Sequence, residues 1–180
     1  MTLALNGEPI LTPEVTIGDY VYSRDSLAIM APAEREALGV TVLPDPEPTL
    51  EDLRAAANAA VTARREAVFE AGFPVPSGPL AGQHLQLRNA DDKANWMIAE
   101  KNARAAVGVG LGETPLVKLR TLENNTVTVT PNQALTVLAA LEAWSVAVLG
   151  RAWALKDQND AATDAAGLTD EADLESGWPG

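Results

Sequence analysis

The sequence predicts an α+β fold: a small β-containing N-terminal part, a proline linker and a mainly helical C-terminal domain with one β-hairpin. Three observations support this. Short extended patterns with a turn signal occupy the first 43 residues, three alternate prolines follow in 44–48 (PDPEP), and longer segments with helical apolar spacing come after them. Alternate prolines make a stiff, extended connector. We therefore divide the chain into an N-terminal part with its linker (1–48), an alanine-rich helix with a connector (49–79) and a helical C-terminal domain (80–180).

The N-terminal part is predicted to begin with a β-hairpin. Asn6-Gly7 supplies the two positive-φ positions of a type I′ turn, so residues 3–5 and 10–11 are expected to pair across it. Further along the chain, the sequence predicts a strand over 15–22 (VTIGDYVY), a short helix over 32–38 that Gly39 ends, and an extended segment over 40–43.

Three helices are predicted after the linker, each with a capping signal. Thr49 is a good N-cap for a helix over 50–71, which Gly72 ends. Asn89 caps a second helix, which ends at the glycines 108, 110 and 112. Pro131 begins the last helix, which is expected to lead into the terminal segment 168–180 (LTDEADLESGWPG).

Strands are predicted between these helices. Residues 83–87 (QHLQL) alternate as a strand does, after an irregular connector at 73–82. The clearest hairpin pairs 116–122 with 126–130 through a turn at Glu123-Asn124-Asn125.

Composition excludes several classes of function. The chain has 13 basic and 25 acidic residues, and this net charge of −12 disfavours nucleic-acid binding. It has no cysteine, which excludes thiol catalysis and cysteine-based metal sites. No long apolar run or basic leader is present, so membrane insertion is not expected. Much of the apolar content is alanine, which buries little area, and a homo-oligomer is therefore expected.

The residues themselves predict no catalytic, cofactor-binding or metal-binding site. His84 is the only histidine, and its strand points it outward beside two glutamines. Asp157, Asp160 and Asp164 lie near one helical face, where solvated carboxylates are the simplest interpretation and a site for a hard cation is the alternative. The glycines of 108–112 follow a helix rather than a strand, so they are interpreted as a helix end and not as a phosphate-binding loop.

The tryptophans are the best candidates for contacts. Trp178 lies between Gly177 and Pro179 and cannot sit inside a helix, so its ring is either an anchor or part of a frayed tail. We expect it to dock on its own domain or on a neighbouring subunit. The candidate interface residues are this ring, two further tryptophans and the apolar stripe of the last helix: Trp178, Trp144, Trp153, Leu138, Leu141, Val148 and Leu155.

Four short segments give the chain a resemblance to a known family: 86–88 (QLR), 91–92 (DD), 129–131 (VTP) and 177–179 (GWP). In this order they resemble the C-terminal domain of unknown function found in many tail, tail-fibre and tail-fibre-assembly proteins of tailed bacteriophages. The resemblance covers residues 80–180. It departs from the family at VKLRTLENN, which replaces an indole-bearing stretch before the last helix. Residues 26–40 (SLAIMAPAEREALGV) are also similar in style to phage tail proteins.

The resemblance implies a role in a virion or in its assembly, and it supplies no catalytic residue. The first hypothesis is a structural protein of a phage tail, at the baseplate or tail fibre, localised in the virion and made in the bacterial host cytoplasm. Its partners would be other phage tail proteins and further copies of itself, a trimer being the first state to test because fibres are commonly threefold. The alternative is a tail-fibre assembly chaperone that the mature virion lacks. A third hypothesis, from another class, is a small hydrolase that uses His84.

Overall fold

A computed structural model describes residues 2–44 and 46–180. They divide after Pro48 into two compact units. Helices account for 52% of the chain and strands for 17%, with several strands near the N-terminus and a mainly helical remainder, which confirms the predicted α+β class. In the linker, position 45 lies outside the described residues.

The N-terminal unit combines a three-stranded antiparallel sheet with a separate hairpin and two short helices. Strand β1 is central in the sheet and pairs with β2 on one side and β5 on the other. The core contains Leu3, Ile10, Leu27 and Val40. The elements are β1 (Thr2–Leu5), β2 (Glu8–Pro9), β3 (Glu14–Ile17), β4 (Tyr20–Ser23), α1 (Arg24–Ile29), α2 (Pro32–Ala37) and β5 (Val40–Leu43).

The turn of the first predicted hairpin is confirmed, since Asn6 and Gly7 have φ values of 48° and 87° and join β1 to β2, but the returning strand is Glu8–Pro9 rather than 10–11. The prediction of one strand over 15–22 is wrong. Gly18 has a φ of 62°, and the chain turns back there so that β3 pairs with β4. Helix α1 was not predicted; it begins where the Ser23 hydroxyl accepts a hydrogen bond from the Ser26 N–H.

In the C-terminal unit, three long helices are joined by short strands. The strands form antiparallel pairs, β6 with β7 and β8 with β9. The elements are α3 (Leu50–Ala71), β6 (Phe73–Pro74), β7 (His84–Leu85), α4 (Ala90–Gly108), β8 (Val117–Arg120), β9 (Thr126–Val129), α5 (Pro131–Ala161), a 3₁₀ turn (Ala165–Gly167) and α6 (Glu171–Glu175).

The predicted helix starts are confirmed, and each has a side-chain cap. Thr49 accepts from the Asp52 N–H, Asn89 from the Asp92 N–H and Thr130 from the Gln133 N–H. These bonds satisfy donors that have no partner inside the helix. The last helix ends at Ala161, before the terminal segment, because Ala162 is already extended.

Helix α5 is the centre of the unit, and α3 and α4 both pack chiefly against it. The main core includes Leu138, Leu141, Trp144 and Val148 of α5, together with inward-facing residues of β8 and β9. By length and composition alone, α5 could cross a membrane. Central helices of compact domains pass the same test, and the buried side of α5 is covered by its own domain, so this property alone does not argue for a span.

Candidate interaction surfaces

The C-terminal segment (residues 168–180) is anchored on its own domain by tryptophans. The half-buried Trp178 packs against the main core and against a small cluster of Val61, Ala152 and Leu155. Its indole N–H donates to the Leu174 carbonyl at 2.8 Å. The Trp144 indole N–H donates to the Pro179 carbonyl at 3.0 Å. Trp178 is therefore an anchor rather than part of a frayed tail.

Two arginines hold the same segment. Arg64 of α3 donates from Nε to the Leu174 carbonyl and forms an ion pair with Glu175 at 3.0 Å. Arg151 of α5 donates to the Asp173 carbonyl at 3.0 Å. Both arginines thus satisfy carbonyls or a carboxylate near the end of α6, where the helix dipole favours cations.

A buried amide ties α5 to α3 and to the C-terminal segment. The Asn159 side chain is fully buried; it donates to the Asn58 Oδ1 at 2.9 Å and accepts from the backbone N–H and the hydroxyl of Thr169, both at 2.7 Å. Arg54 of α3 donates to the carbonyls of Asn159 and Ala162 at the end of α5. Buried polar groups cost stability unless they are paired, and these bonds meet that requirement.

Most of the seven candidate interface residues lie inside the domain. Leu138, Leu141, Trp144, Val148 and Leu155 are buried, and Trp178 is half-buried in the contacts above. Their contacts stabilise the chain's own core, so in this conformation the five buried side chains are not available to another subunit. Trp153 of α5 differs, because 60% of it is exposed.

His84 is hydrogen-bonded to Glu123 in the turn between β8 and β9. Its Nδ1 lies 2.7 Å from the Glu123 carboxylate, which also accepts from the His84 backbone N–H. The hydrogen bond from His84 is the largest effect that lowers the pKa of Glu123, from its ordinary 4.5 to about 2. No hydroxyl in the described ranges hydrogen-bonds to His84. The hydrogen bonds between His84 and Glu123 connect β7 to the turn between β8 and β9, which is a structural role.

The acidic and glycine motifs have structural positions as well. Asp160 accepts from Asn58 at 3.2 Å, and Asp164 caps the 3₁₀ turn. Among residues 2–44 and 46–180, no cluster of His, Asp or Glu could hold a metal ion. Helix α4 ends at Gly108, and Gly110 has a φ of 82° in the loop that follows, as expected for a helix end.

The outer side of α4 exposes two large apolar side chains. Met97 is 70% exposed and Ile98 is 56% exposed. Both line a shallow depression together with Lys101 and Arg104. Exposed apolar side chains next to charged ones are typical of surfaces that contact other proteins.

A groove of about 540 Å³ runs between α4 and β8, and we call it the α4–β8 groove. Asn95, Ala99 and Asn102 line it from the helix, and Lys118 and Arg120 line it from the strand. Trp96 also lines it, and its indole N–H is fixed by the Gln86 carbonyl at 2.6 Å. This groove was not predicted from the sequence. Its only sequence signals were the helical spacing of the two asparagines and the alternation of Leu116, Lys118 and Arg120.

These observations define a helical domain closed by its own C-terminal segment, with exposed apolar side chains and a groove around α4. Residues 52–174 match the family described as a domain of unknown function (DUF4376), and because the match covers well over half of the chain, the chain belongs to that family. No curated protein and no solved structure matches the chain. The family match includes α3, which the sequence analysis had placed outside the region of resemblance, and it ends before Gly177.

Proposed function

We propose that the chain is a non-enzymatic structural protein of a bacteriophage tail, at the baseplate or in a tail fibre. In this proposal it acts through contacts with other tail proteins and with further copies of itself. It needs no cofactor, and it is made in the bacterial host cytoplasm before it enters the virion.

The first support is the kind of residue on which the resemblance to phage tail proteins rests. Arg88 and Asp92 pair at the start of α4, Thr130 caps α5, and Pro179 accepts from Trp144. Each of these contacts stabilises the fold of the C-terminal unit. A motif of this kind is inherited with a fold, so it supports a shared domain rather than shared chemistry.

The observation that carries the proposal furthest is the exposed side of α4. Met97 and Ile98 remain open to solvent beside Lys101 and Arg104, although the same helix buries Ala103 in the core. Because more than half of each of these two large apolar side chains is exposed, much of their possible burial free energy is not gained, and contact with a partner would supply it. The polar candidates for chemistry, such as His84, make structural bonds instead.

Mass spectrometry of gradient-purified phage particles tests this proposal, with copy number calibrated against the major capsid protein. We expect a stoichiometric signal, and multiples of three would also establish the symmetry. Absence from particles together with presence in the lysate would overturn the virion role and favour the assembly chaperone.

A hydrolase would be recognised separately. If the protein hydrolysed a substrate and His84→Ala abolished that activity, the non-enzymatic proposal would be wrong. A structural protein should assemble unchanged when His84 is replaced.

A further inference from the structure

The α4–β8 groove follows the edge of a strand. Its lining includes Leu116, Lys118 and Arg120, which face outward, and also Val117, which is buried and faces the core. Successive residues of a strand point to opposite faces. A depression lined by both sets therefore runs along the edge of β8 rather than over one face.

The backbone along that edge is unpaired. Strand β8 pairs with β9, from Val117 opposite Val129 to Arg120 opposite Thr126. Over residues 2–44 and 46–180, no other backbone or side-chain group hydrogen-bonds to the backbone of Val117–Arg120. An open strand edge presents N–H and C=O groups that can pair with an added strand.

The opposite wall can bind polar backbone groups too. Asn95 and Asn102 are seven residues apart on α4, which places them on the same face of the helix. Both are exposed, and their side-chain amides have no hydrogen-bond partner in the described part of the chain. These free amides lie on the wall opposite the open strand edge, where they can hydrogen-bond to polar groups of an added strand.

The charged residues that line the α4–β8 groove indicate which kind of peptide it would bind. Two basic residues, Lys118 and Arg120, and one acidic residue, Asp92, line the groove. Lys118 has no ion-pair partner among the described residues, and Arg120 bonds only to the neutral side chains of Thr126 and Asn124. Asp92, the carboxylate that lines the groove, is already compensated by Arg88 at 3.3 Å. The groove is thus locally positive in a chain of net charge −12.

We propose that the α4–β8 groove binds an extended acidic segment of a partner protein, which adds to β8 as a further strand. Its backbone pairs with Val117–Arg120, its carboxylates lie near Lys118 and Arg120, and its polar groups reach Asn95 and Asn102. The inference deepens the proposed function, because it names a partner class for a protein that works by contacts. Peptide binding is measured on the purified chain and particle membership on virions, so either can fail without the other.

The test is a titration of the full ¹⁵N-labelled chain with three heptapeptides, followed by NMR. One alternates Glu and Val, one Lys and Val, and one Thr and Val. We expect only the acidic peptide, at up to about 2 mM, to shift the backbone amides of 116–120 and the side-chain amides of Asn95 and Asn102. Raising the salt to about 0.5 M should weaken this binding, because exposed charges are screened.

A charge-reversal pair sharpens the test. Lys118→Glu should weaken the affinity for the acidic peptide about tenfold, since it replaces an attraction with a repulsion. Lys156→Glu makes the same charge change on α5, away from the groove, and should leave the affinity within about twofold.

Three results would overturn the proposal. No shift at the groove with the acidic peptide would remove the site, and equal shifts with the Thr-Val peptide would remove its selectivity for acidic segments. Shifts of the same amides that depend on protein concentration without peptide would make a second copy of the chain the occupant, in place of a foreign segment.

Discussion

At the scale of single residues, Gly177 has a backbone conformation and a close neighbour that favour glycine. Its φ is 73°, and a Cβ there would lie 3.1 Å from the Arg151 Nε and 3.2 Å from its Cζ. Arg151 has little freedom to move away, because it is bonded to the Asp173 carbonyl. The path of the chain toward Trp178 therefore depends on this glycine.

Gly177→Ala should lower the free energy of unfolding by about 1–2 kcal/mol, from backbone strain and from the close approach to Arg151. Gly150→Ala is the matched control: it lies in α5, and a Cβ there meets nothing within 4 Å. This second change should raise stability by about 0.5–1 kcal/mol through helix propensity. Urea denaturation measures the free energy of unfolding of both variants. Equal changes in the two variants would show that the backbone at Gly177 is not constrained.

The Glu123 carboxylate should make stability depend on pH. Its pKa falls from 4.5 to about 2 on folding, mainly through the hydrogen bond from His84. A depressed pKa means that the folded state favours the ionised form, so the stabilisation is present above pH 4.5 and is lost as pH falls toward 2. Near pH 6, the urea denaturation midpoint of the wild type should be higher than that of Glu123→Gln. This difference in midpoint should decrease as the pH falls below about 4.5.

The control for this pH dependence is the same substitution in a His84→Ala background. The His84 side chain is the largest cause of the lowered pKa of Glu123. In the His84→Ala background, the difference in urea midpoint between Glu and Gln at position 123 should therefore be smaller. A difference that stays constant from pH 6 to pH 3 in the wild-type background would contradict the expected linkage.

At the scale of elements, local signals predicted the helices well. Thr49 with Asp52 and the positive-φ Gly72 mark both ends of α3, and the structure begins and ends the helix at those residues. The same approach failed at 15–22, because the alternating pattern continues across Gly18 and conceals a turn. It also missed α1, whose six residues are too few for a period to appear and which lacks the starting proline and the following glycine that marked the equally short α2.

The candidate interaction surfaces could not be predicted without knowledge of the tertiary structure. An apolar stripe on a helix must be covered, but the stripe does not say whether its own domain or another subunit covers it. Leu141 and Val148 were therefore candidates for an interface, whereas the structure places them in the core. The α4–β8 groove was equally invisible, since its two walls come from elements that are separated by a loop.

The stabilities of two tryptophan variants distinguish a ring that anchors the C-terminal segment from a ring that is mainly exposed. Trp178→Ala should lower the free energy of unfolding by about 2–3 kcal/mol, less than for a fully buried ring, because it removes packing on two clusters and the bond to Leu174. Trp153→Ala, which changes a ring that is 60% exposed, should stay within about 0.5 kcal/mol. The comparison uses urea denaturation, and an unchanged midpoint for Trp178→Ala would mean that the C-terminal segment does not hold the domain together.

At the scale of the whole molecule, each unit has its own core. The cluster around Leu3 and Leu27 draws only on residues before the linker, and the clusters around Trp144 and Leu155 draw only on residues after it. A domain with a complete core can fold alone.

A fragment of residues 49–180 should therefore fold by itself. We expect a cooperative thermal transition by circular dichroism at 222 nm and dispersed NMR signals that match the same residues in the full chain. A non-cooperative melt would show that the C-terminal unit depends on the first 48 residues.

The bonds from α3 to the far end of α5 also constrain the order in which this protein acquires its shape during synthesis. Arg54 and its acceptor at Asn159 are 105 positions apart along the chain. At about 5–20 residues per second, α3 leaves the ribosome roughly 5–20 s before its partner helix is available. During that interval the side chains that α5 will later cover, including Val61 and Phe69, are exposed on a nascent chain. The yield of folded protein in the cell should therefore depend on chaperones that shield α3 until translation is nearly finished.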